Sequence, residues 1–364
     1  MAKVSLTGGR GFLGWHTRAA LYEKGCDTAL IGVGTNFNVE QARKAVDGSE
    51  RLIHLAGINR AEENEIREGN VLFARQIAET ILSAEAPPRI IVYANSTQAG
   101  NGSVYGEAKL AARDILREAA EKRGAEFLDV HLPNLFGEHG RPFYNAVTAT
   151  FCHLLVEGET PTVQDDKQLT LLHAQDAADL LIGNCEVERL ENLEQKETVS
   201  GLLTRLQDID RVYRRGEIPD ISIPFARNLF NTYRSYMFES RPEIPLVKHA
   251  DARGSFSEII RTHGGTGQTS FSTTVPGVLR GGHYHRRKVE RFLVLSGKAR
   301  ISLRKMFTDE VRHFDVNGEE PIAIDMPTMW THSIENTGNE VLLTNFWTDD
   351  HFDPNNPDTI VEVV

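Results

Sequence analysis

Lys3-Val-Ser-Leu-Thr7-Gly8-Gly9-Arg10-Gly11-Phe12-Leu13-Gly14 opens the chain with a short apolar strand, a glycine-rich turn and the start of a helix. Gly8, Gly11 and Gly14 recur at every third position. Glycines at this spacing allow a tight turn and let a pyrophosphate approach a helix N-terminus, where unpaired N–H groups point outward. An ordinary glycine turn is the alternative, but the strand–turn–helix context favours a dinucleotide site. In such sites an acid at the end of the second strand holds the ribose hydroxyls. Here that stretch reads Leu30-Ile31-Gly32-Val33-Gly34, with no acid, and Arg10 lies inside the glycine turn. Both features point to NADP, whose extra phosphate an arginine can hold.

Outward from this turn, strands and helices alternate. Residues 12–24 read as a helix, 27–32 as a second strand and Arg51-Leu-Ile-His-Leu-Ala56 as a third. A helix is expected from Asn70 to Ala84, stopped by Pro87-Pro88, then an apolar strand, Arg89-Ile-Ile-Val-Tyr-Ala94. A helix over 104–122 and a strand over 127–132 follow. This alternation predicts an α/β fold, a doubly wound parallel sheet. Residues 186–242 read as helical and charged, broken by Pro219, Pro224 and Pro242. Beyond about residue 245, short strands and frequent glycines replace helical periodicity, which predicts an all-β barrel or jelly roll. The boundary is placed at Arg241-Pro242-Glu243, giving domains 1–242 and 243–364.

The first domain carries Tyr105-Gly-Glu-Ala-Lys109 at a helix start. A spacing of four puts both side chains on one face. A lysine ammonium is expected to lower the phenol pKa, so that Tyr105 exchanges a proton with a carbinol or ketone oxygen. The preceding strand ends in Asn95-Ser96-Thr97, and the hydroxyl of Ser96 or Thr97 is placed to hydrogen-bond the substrate oxygen.

The second domain carries a different chemistry. His283-Tyr284-His285 is followed by Arg286-Arg287-Lys288 and then Glu290, between Gly277 and Gly297. Two residues apart on a strand, His283 and His285 face the same side. His332 lies in Pro327-Thr-Met-Trp-Thr-His332-Ser-Ile-Glu-Asn336. Three imidazoles and a carboxylate suit a divalent metal, zinc being the expected ion. A metal-free site using the same residues for proton transfer is the alternative.

The first 240 or so residues resemble the extended short-chain dehydrogenase/reductases, whose fold is Rossmann-like. The glycine turn, His54-Leu55-Ala56-Gly57, Asn70, Ser96/Thr97, Tyr105, Lys109, Pro133-Asn134-Leu-Phe-Gly137 and Leu172-His173-Ala-Gln-Asp176 carry the likeness. It implies nicotinamide chemistry on nucleotide-linked sugars. It also implies cofactor contacts from Gly8, Arg10, Gly11, Phe12, Leu13, Gly14, Leu55, Ala56, Asn70 and Lys109, and a substrate contact from Asn134. The span from Gly34 to Glu50 is too short for the extra strand usual in that family.

The His/Glu pattern matches the first cupin signature; in the second, Met329 replaces the usual glycine. Asp251-Ala-Arg253-Gly254-Ser-Phe256-Ser-Glu258 and Gly277-Val-Leu-Arg280-Gly281-Gly282-His283-Tyr284 resemble the dTDP-sugar 3,5-epimerases, which are cupins. That likeness makes Arg253, Glu258 and Arg280 substrate contacts and His283 a base. His285 stands where that family has glutamine, which is what suggests a metal.

The whole chain resembles the CapF family of bifunctional capsular polysaccharide enzymes and their O-antigen counterparts. Tyr144-Asn145, Ala149-Thr-Phe-Cys152 and Gly277–His285 carry this closer likeness. It implies a UDP-linked 2-acetamido-2,6-dideoxy-4-keto-hexose as substrate. The cupin inverts C3, the reductase reduces the C4 ketone with NADPH, and a homodimer is expected. The alternative is a nucleotide-sugar 4-ketoreductase whose cupin serves only for dimerisation or ligand binding.

Bulk properties agree with a cytoplasmic enzyme of small molecules. The 364 residues allow two domains, and 40% apolar with 25% charged content is ordinary for a globular chain. A net charge of −11 argues against nucleic-acid or anionic-membrane partners. No apolar run is long enough to span a membrane, and no signal peptide is expected. Cys26, Cys152 and Cys185 are scattered, which suggests neither disulfides nor a cysteine metal site.

Overall fold

The first strand and its neighbours build a parallel sheet in this computed structural model, which describes residues 1–364. β1 (Lys3–Thr7), α1 (Phe12–Glu23), β2 (Asp27–Ile31), α2 (Val39–Val46), β3 (Arg51–His54), α3 (Glu63–Ser83), β4 (Ile90–Ser96), α4 (Val104–Arg123) and β5 (Glu126–Leu132) follow one another. The sheet order is β2-β1-β3-β4-β5, and every pairing is parallel. Alternate strand residues supply two cores. Ile53, Val92, Val130 and Leu132 pack in one, while Leu52, Ile91 and Tyr93 pack with α3 and α4 residues in the other. The sheet is therefore covered on both faces, as near-continuous apolar strands require.

The helix expected from Asn70 starts earlier, at Glu63. Its first turn carries Glu63 and Glu65, which suit the positive end of a helix, and hydrophobic periodicity alone does not register that acidic entry. The short span after Gly34 forms α2 and no extra strand. α4 is capped by Ser103, whose hydroxyl accepts the Gly106 N–H at 3.0 Å, a bond that fixes where Tyr105 enters the helix.

A second, three-stranded sheet contains β6 (Asn134–Phe136), which follows β5, with β7 (Gln168–His173) and β8 (Gln195–Thr198). α5 (Val147–Val156), α6 (Ala174–Ile182), α7 (Leu190–Leu193), α8 (Val199–Tyr213) and α9 (Pro224–Ser240) complete the helices.

The rest is antiparallel β structure. Its strands are β9 (Glu243–Pro245), β10 (Lys248–Asp251), β11 (Gly254–Ser257), β12 (Gln268–Thr274), β13 (Leu279–Tyr284), β14 (Glu290–Ser296), β15 (Lys298–Lys305), β16 (Val311–Asn317), β17 (Ile322–Met326), β18 (Trp330–Asn336), β19 (Leu342–Thr348) and β20 (Ile360–Val361). Two five-stranded sheets, β12-β19-β14-β17-β9 and β16-β15-β18-β13-β20, form the jelly roll. Phe292, Val294, Ile301, Leu303, Ile324 and Trp330 are among its buried core. β10 and β11 make a separate hairpin.

The chain divides into two compact units. The first comprises Met1–Phe136, Gly140–Thr150 and Asp166–Val199; the second comprises Gly137–His139, Phe151–Asp165 and Ser200–Val364. The folding division thus differs from the break expected at 242/243, because residues 200–242 belong with the barrel. Phe238 of α9 lies in the barrel core. The Tyr213 hydroxyl donates to buried Asp325 at 2.9 Å, and Arg291 donates to the Gly216 carbonyl at 2.5 Å. Proline breaks marked a change of secondary structure here, but burial decides which unit the helices join.

Candidate functional site

In the first unit, the turn after β1 places its glycines at the C-terminal edge of the sheet. Gly8 has φ +67°, and a Cβ there would meet the Ala56 backbone N at 2.8 Å. A Cβ on Gly14 would lie 2.1 Å from the Gly8 carbonyl. The loop after β3 is tied in by Thr7, whose hydroxyl accepts from Leu55 and Ala56 N–H at 3.1 and 3.2 Å. Backbone therefore packs on backbone, leaving an open trough above.

That trough is a cavity of about 410 Å³. Gly8, Gly11, Phe12, Leu13, Gly14 and Leu55 line one part, and Ser96, Thr97, Tyr105, Lys109 and Asn134 line another. Three residues expected at the cofactor do not line it. Arg10 is exposed on the turn, Ala56 is half-buried with its backbone against Gly8, and Asn70 is buried. The Asn70 carboxamide accepts from Ile58 N–H at 3.1 Å and donates to the Ile58 carbonyl at 2.8 Å, so it braces the loop after β3.

Ser96 and Tyr105 both line the cavity, while Thr97 is exposed. The lowering of the Tyr105 pKa expected from Lys109 is not what the geometry gives. Burial raises the phenol, the neighbouring Ser96 works the other way, and Tyr144 adds to the rise. Lys109 Nζ instead donates to the Ala94 carbonyl at 2.7 Å and lies 4.1 Å from the centre of the Tyr93 ring. Burial pulls the Lys109 ammonium down to about 7, against the opposing field of Asp129. The spacing of four placed both residues on one helix face but carried no information about which acceptor the lysine finds.

Two features of this trough were not read from the sequence. Arg141 lines it, with its guanidinium 5.3 Å from the centre of the Tyr144 ring. Arg18, on α1, is close enough to Arg10 for the two charges to repel: burial first, then Arg10, lowers its pKa. Gly9, next to Arg10, sits against Leu30 at the acid-free end of β2. A basic residue seven positions after the glycine turn was the available signal for Arg18.

In the second unit, His283, His285, Glu290 and His332 converge, and their ligand atoms lie within 4.8 Å of one another. β13 pairs with β18 so that His283 sits opposite His332, with a register shift at Gly281/His283. Glu290 comes from the start of β14, in the other sheet. Its Oε2 lies 3.1 Å from His285 Nε2 and 3.2 Å from His332 Nε2. The His332 contact is a close approach without hydrogen-bond geometry.

Electrostatics favour a cation here. His283 is pushed down to about 3, by burial first and then by His332 and His285. His285 is raised: burial opposes this, but Glu290 outweighs it. Glu290 is held well below the usual carboxylate range, since His285 and His332 overcome its burial. A buried carboxylate faced by imidazole nitrogens is a donor set that fits a divalent ion.

Met329, standing where a glycine is usual, has φ +59° and is buried. Its N–H donates to the His285 carbonyl at 2.7 Å. This left-handed backbone costs roughly 1 kcal/mol or more for a side-chain-bearing residue.

The expected substrate contacts are not gathered at this cluster. Arg253 is exposed in the β10–β11 turn and paired with Asp251 at 2.6 Å. Glu258 pairs with Arg261 at 2.7 Å and lines a separate cavity of about 370 Å³ with Arg215, His249 and Phe256. Arg280 is exposed on β13.

Comparison with known proteins agrees with this two-part layout. Residues 4–187 match the NAD dependent epimerase/dehydratase family, and residues 249–360 match the polysaccharide biosynthesis C-terminal domain. A solved structure of the capsular polysaccharide assembling protein CapF from Staphylococcus aureus is 32% identical, with full coverage of both chains and a TM-score of 0.61. The chain belongs to the CapF family. A UDP-2-acetamido-2,6-beta-L-arabino-hexul-4-ose reductase of Pseudomonas aeruginosa is 31% identical over 98% of this chain and 97% of its own length. The spore coat polysaccharide biosynthesis protein SpsL of Bacillus subtilis is 27% identical over 31% of this chain and 81% of its own. No helix is long and apolar enough to cross a membrane.

Proposed function

We propose that the chain is a bifunctional nucleotide-sugar enzyme. Its barrel inverts C3 of a UDP-2-acetamido-2,6-dideoxy-4-keto-hexose, and its N-terminal region then reduces the C4 ketone with NADPH. The product is UDP-2-acetamido-2,6-dideoxy-L-talose, on the way to UDP-N-acetyl-L-fucosamine for capsule or O-antigen. Residues 1–242 are the reductase region and 243–364 the epimerase region, working as a homodimer in the cytoplasm. Exposed Phe256, Phe271, Val278 and Leu279 on the barrel support a second copy as partner.

The observation that carries this reading is the pairing of two chemically distinct clusters in one family-matched chain. Tyr105 and Ser96 line the glycine trough together, and the His/Glu cluster lies in the barrel. In the reductase, Ser96 holds the C4 oxygen and Tyr105 gives it a proton. Lys109, anchored to the strand at Ala94, sets that edge of the trough. Gly8, Gly11 and Gly14 admit the pyrophosphate, and Arg10 with Arg18 favours the extra phosphate of NADP. The nicotinamide, when bound, supplies the hydride.

In the barrel, C3 must lose a proton next to the C4 carbonyl and regain one on the opposite face. His283, His285, Glu290 and His332 would hold the divalent ion, zinc by donor type, which supplies Lewis acidity when bound. Arg253, Glu258 and Arg280 would contact the nucleotide sugar. Epimerisation precedes reduction, because removing the ketone removes the acidity of C3.

The test is to supply the UDP-4-keto-sugar with NADPH and read the product by NMR. The L-talo configuration is expected. A product reduced at C4 with unaltered C3 would support the reading in which the cupin is not catalytic.

A further inference from the structure

A C-terminal stretch far from the ligand cluster in sequence holds it together in space. β20 pairs antiparallel with β13, setting Ile360 opposite Tyr284 and Val361 opposite His283. Just before it, Asp358 reaches the segment that joins His285 to Glu290. One carboxylate oxygen accepts the Arg286 N–H at 2.9 Å; the other accepts the Arg287 and Lys288 N–H at 2.9 and 2.8 Å. The Asp358 backbone carbonyl lies 2.5 Å from His285 Nδ1. Lys288 Nζ closes the contact on the Pro357 carbonyl at 2.7 Å. Asp358 itself has φ +41°, a region that aspartate tolerates better than most side chains.

The chemistry of these contacts is directional. A carbonyl only accepts, so His285 Nδ1 carries the hydrogen and donates it. His285 Nε2 faces Glu290 at 3.1 Å. A carboxylate also only accepts, so Nε2 donates there, and Nε2 is the nitrogen that would be offered to an ion in place of that hydrogen. Three consecutive N–H groups on one carboxylate fix the turn whose far end sets Glu290 on β14. We propose that Asp358 is a positioning residue of the cluster: its carbonyl holds His285 Nδ1 so that Nε2 is turned to Glu290, and its carboxylate sets the turn between the two ligands. This rests on the metal reading of the site. A mere anchor for the C-terminus would affect stability but leave the hydrogen bond at His285 Nδ1 and the ion affinity unchanged.

The experiment uses the full chain labelled with ¹⁵N-histidine, compared with Asp358→Ala and Asp358→Asn. Long-range ¹H–¹⁵N spectra of zinc-free protein should show a hydrogen-bonded, downfield-shifted His285 Nδ1–H in the wild type and lose that shift in Asp358→Ala, where loss of the carboxylate frees the segment that carries the carbonyl. Zinc affinity, read by competition with a chromogenic chelator, should fall about 10- to 100-fold in Asp358→Ala, the usual effect of losing a partner that orients a ligand. Asp358→Asn keeps an acceptor oxygen and should fall between the two. Wild-type zinc affinity or an unchanged His285 Nδ1–H signal in Asp358→Ala overturns the proposal. Should that variant not fold, Asp358→Asn decides by the same two readouts. A wild type that binds no zinc would sink the metal reading, and the Nδ1–H signal alone would then judge the role of Asp358.

Discussion

Asp325→Ala is expected to unfold most of the second unit while sparing the cofactor trough of the first. Arg291 Nε and Nη2 donate to the two Asp325 oxygens at 2.6 and 2.9 Å, and Tyr213 adds a third bond at 2.9 Å. Arg291 is 1% exposed and Asp325 3% exposed. Burial pushes the Asp325 carboxyl up, but Arg291 outweighs it and holds it below its ordinary range. Removing the carboxylate leaves a buried guanidinium with its charge uncompensated, which costs about 3–5 kcal/mol. The stranded Tyr213 hydroxyl adds roughly 1–3 kcal/mol. The sum, on the order of 4–8 kcal/mol, rivals the whole stability of a typical domain. Arg291→Met with Asp325→Leu removes both charges and should recover most of the loss. Urea unfolding of the full chain, followed by tryptophan fluorescence, is the assay, since buried Trp330 and Trp347 both lie in the second unit. A loss under about 1 kcal/mol for the single variant would refute the reasoning, as would a double variant no better than the single. Because Tyr213 precedes residue 242, the same result bears on whether α8 folds with the barrel.

Further outcomes are expected in the first unit and at the His/Glu cluster. Lys109→Met should abolish reduction yet stabilise the fold by on the order of 3 kcal/mol near pH 6: about 1.4 kcal/mol per pKa unit lost to burial, less the bond to Ala94. The sign follows from a folded pKa pulled down to about 7: the penalty is full below that pH and fades as pH rises towards the free lysine value. Calorimetry at pH 6 and pH 9.5 should show the advantage shrinking; no advantage at either pH contradicts it. NADPH should be preferred over NADH by about tenfold, one charge-assisted phosphate contact, and Arg10→Ala should lose that preference. Equal kcat/KM for the two cofactors would refute it. His285→Gln should lose bound metal by elemental analysis while nucleotide binding survives, and retention of the ion would remove His285 from the ligand set.

Much of both sites could be read from residues close together in the chain. The glycines at 8, 11 and 14 encode a turn locally, and His283, His285 and Glu290 fall within the end of one strand, the turn after it and the first residue of the next strand. Local spacing carries that geometry because strand and turn periodicities are short. His332 was legible through its own proline–histidine segment. What was not legible depends on distant packing. Asp358 reaches His285 across 73 residues, and nothing around it marks it as a partner. Lys109 chose the Ala94 carbonyl, and burial raised Tyr105, because the interior sets the pKa and helix spacing does not. Residues 200–242 were grouped by their prolines with the first domain, but Phe238 and Tyr213 bury themselves with the barrel.

The central claim is that two separate catalysts act in sequence on one keto-sugar. The most direct measurement is ¹H NMR of the UDP-4-keto-sugar in deuterated buffer without NADPH, using wild type and Tyr105→Phe. Tyr105 is the proton donor only in the reductase trough, so both proteins should exchange the C3 proton at similar rates, and Tyr105→Phe should then fail to reduce the ketone when NADPH is added. No C3 exchange by the wild type, or loss of exchange together with reduction in Tyr105→Phe, would contradict the account.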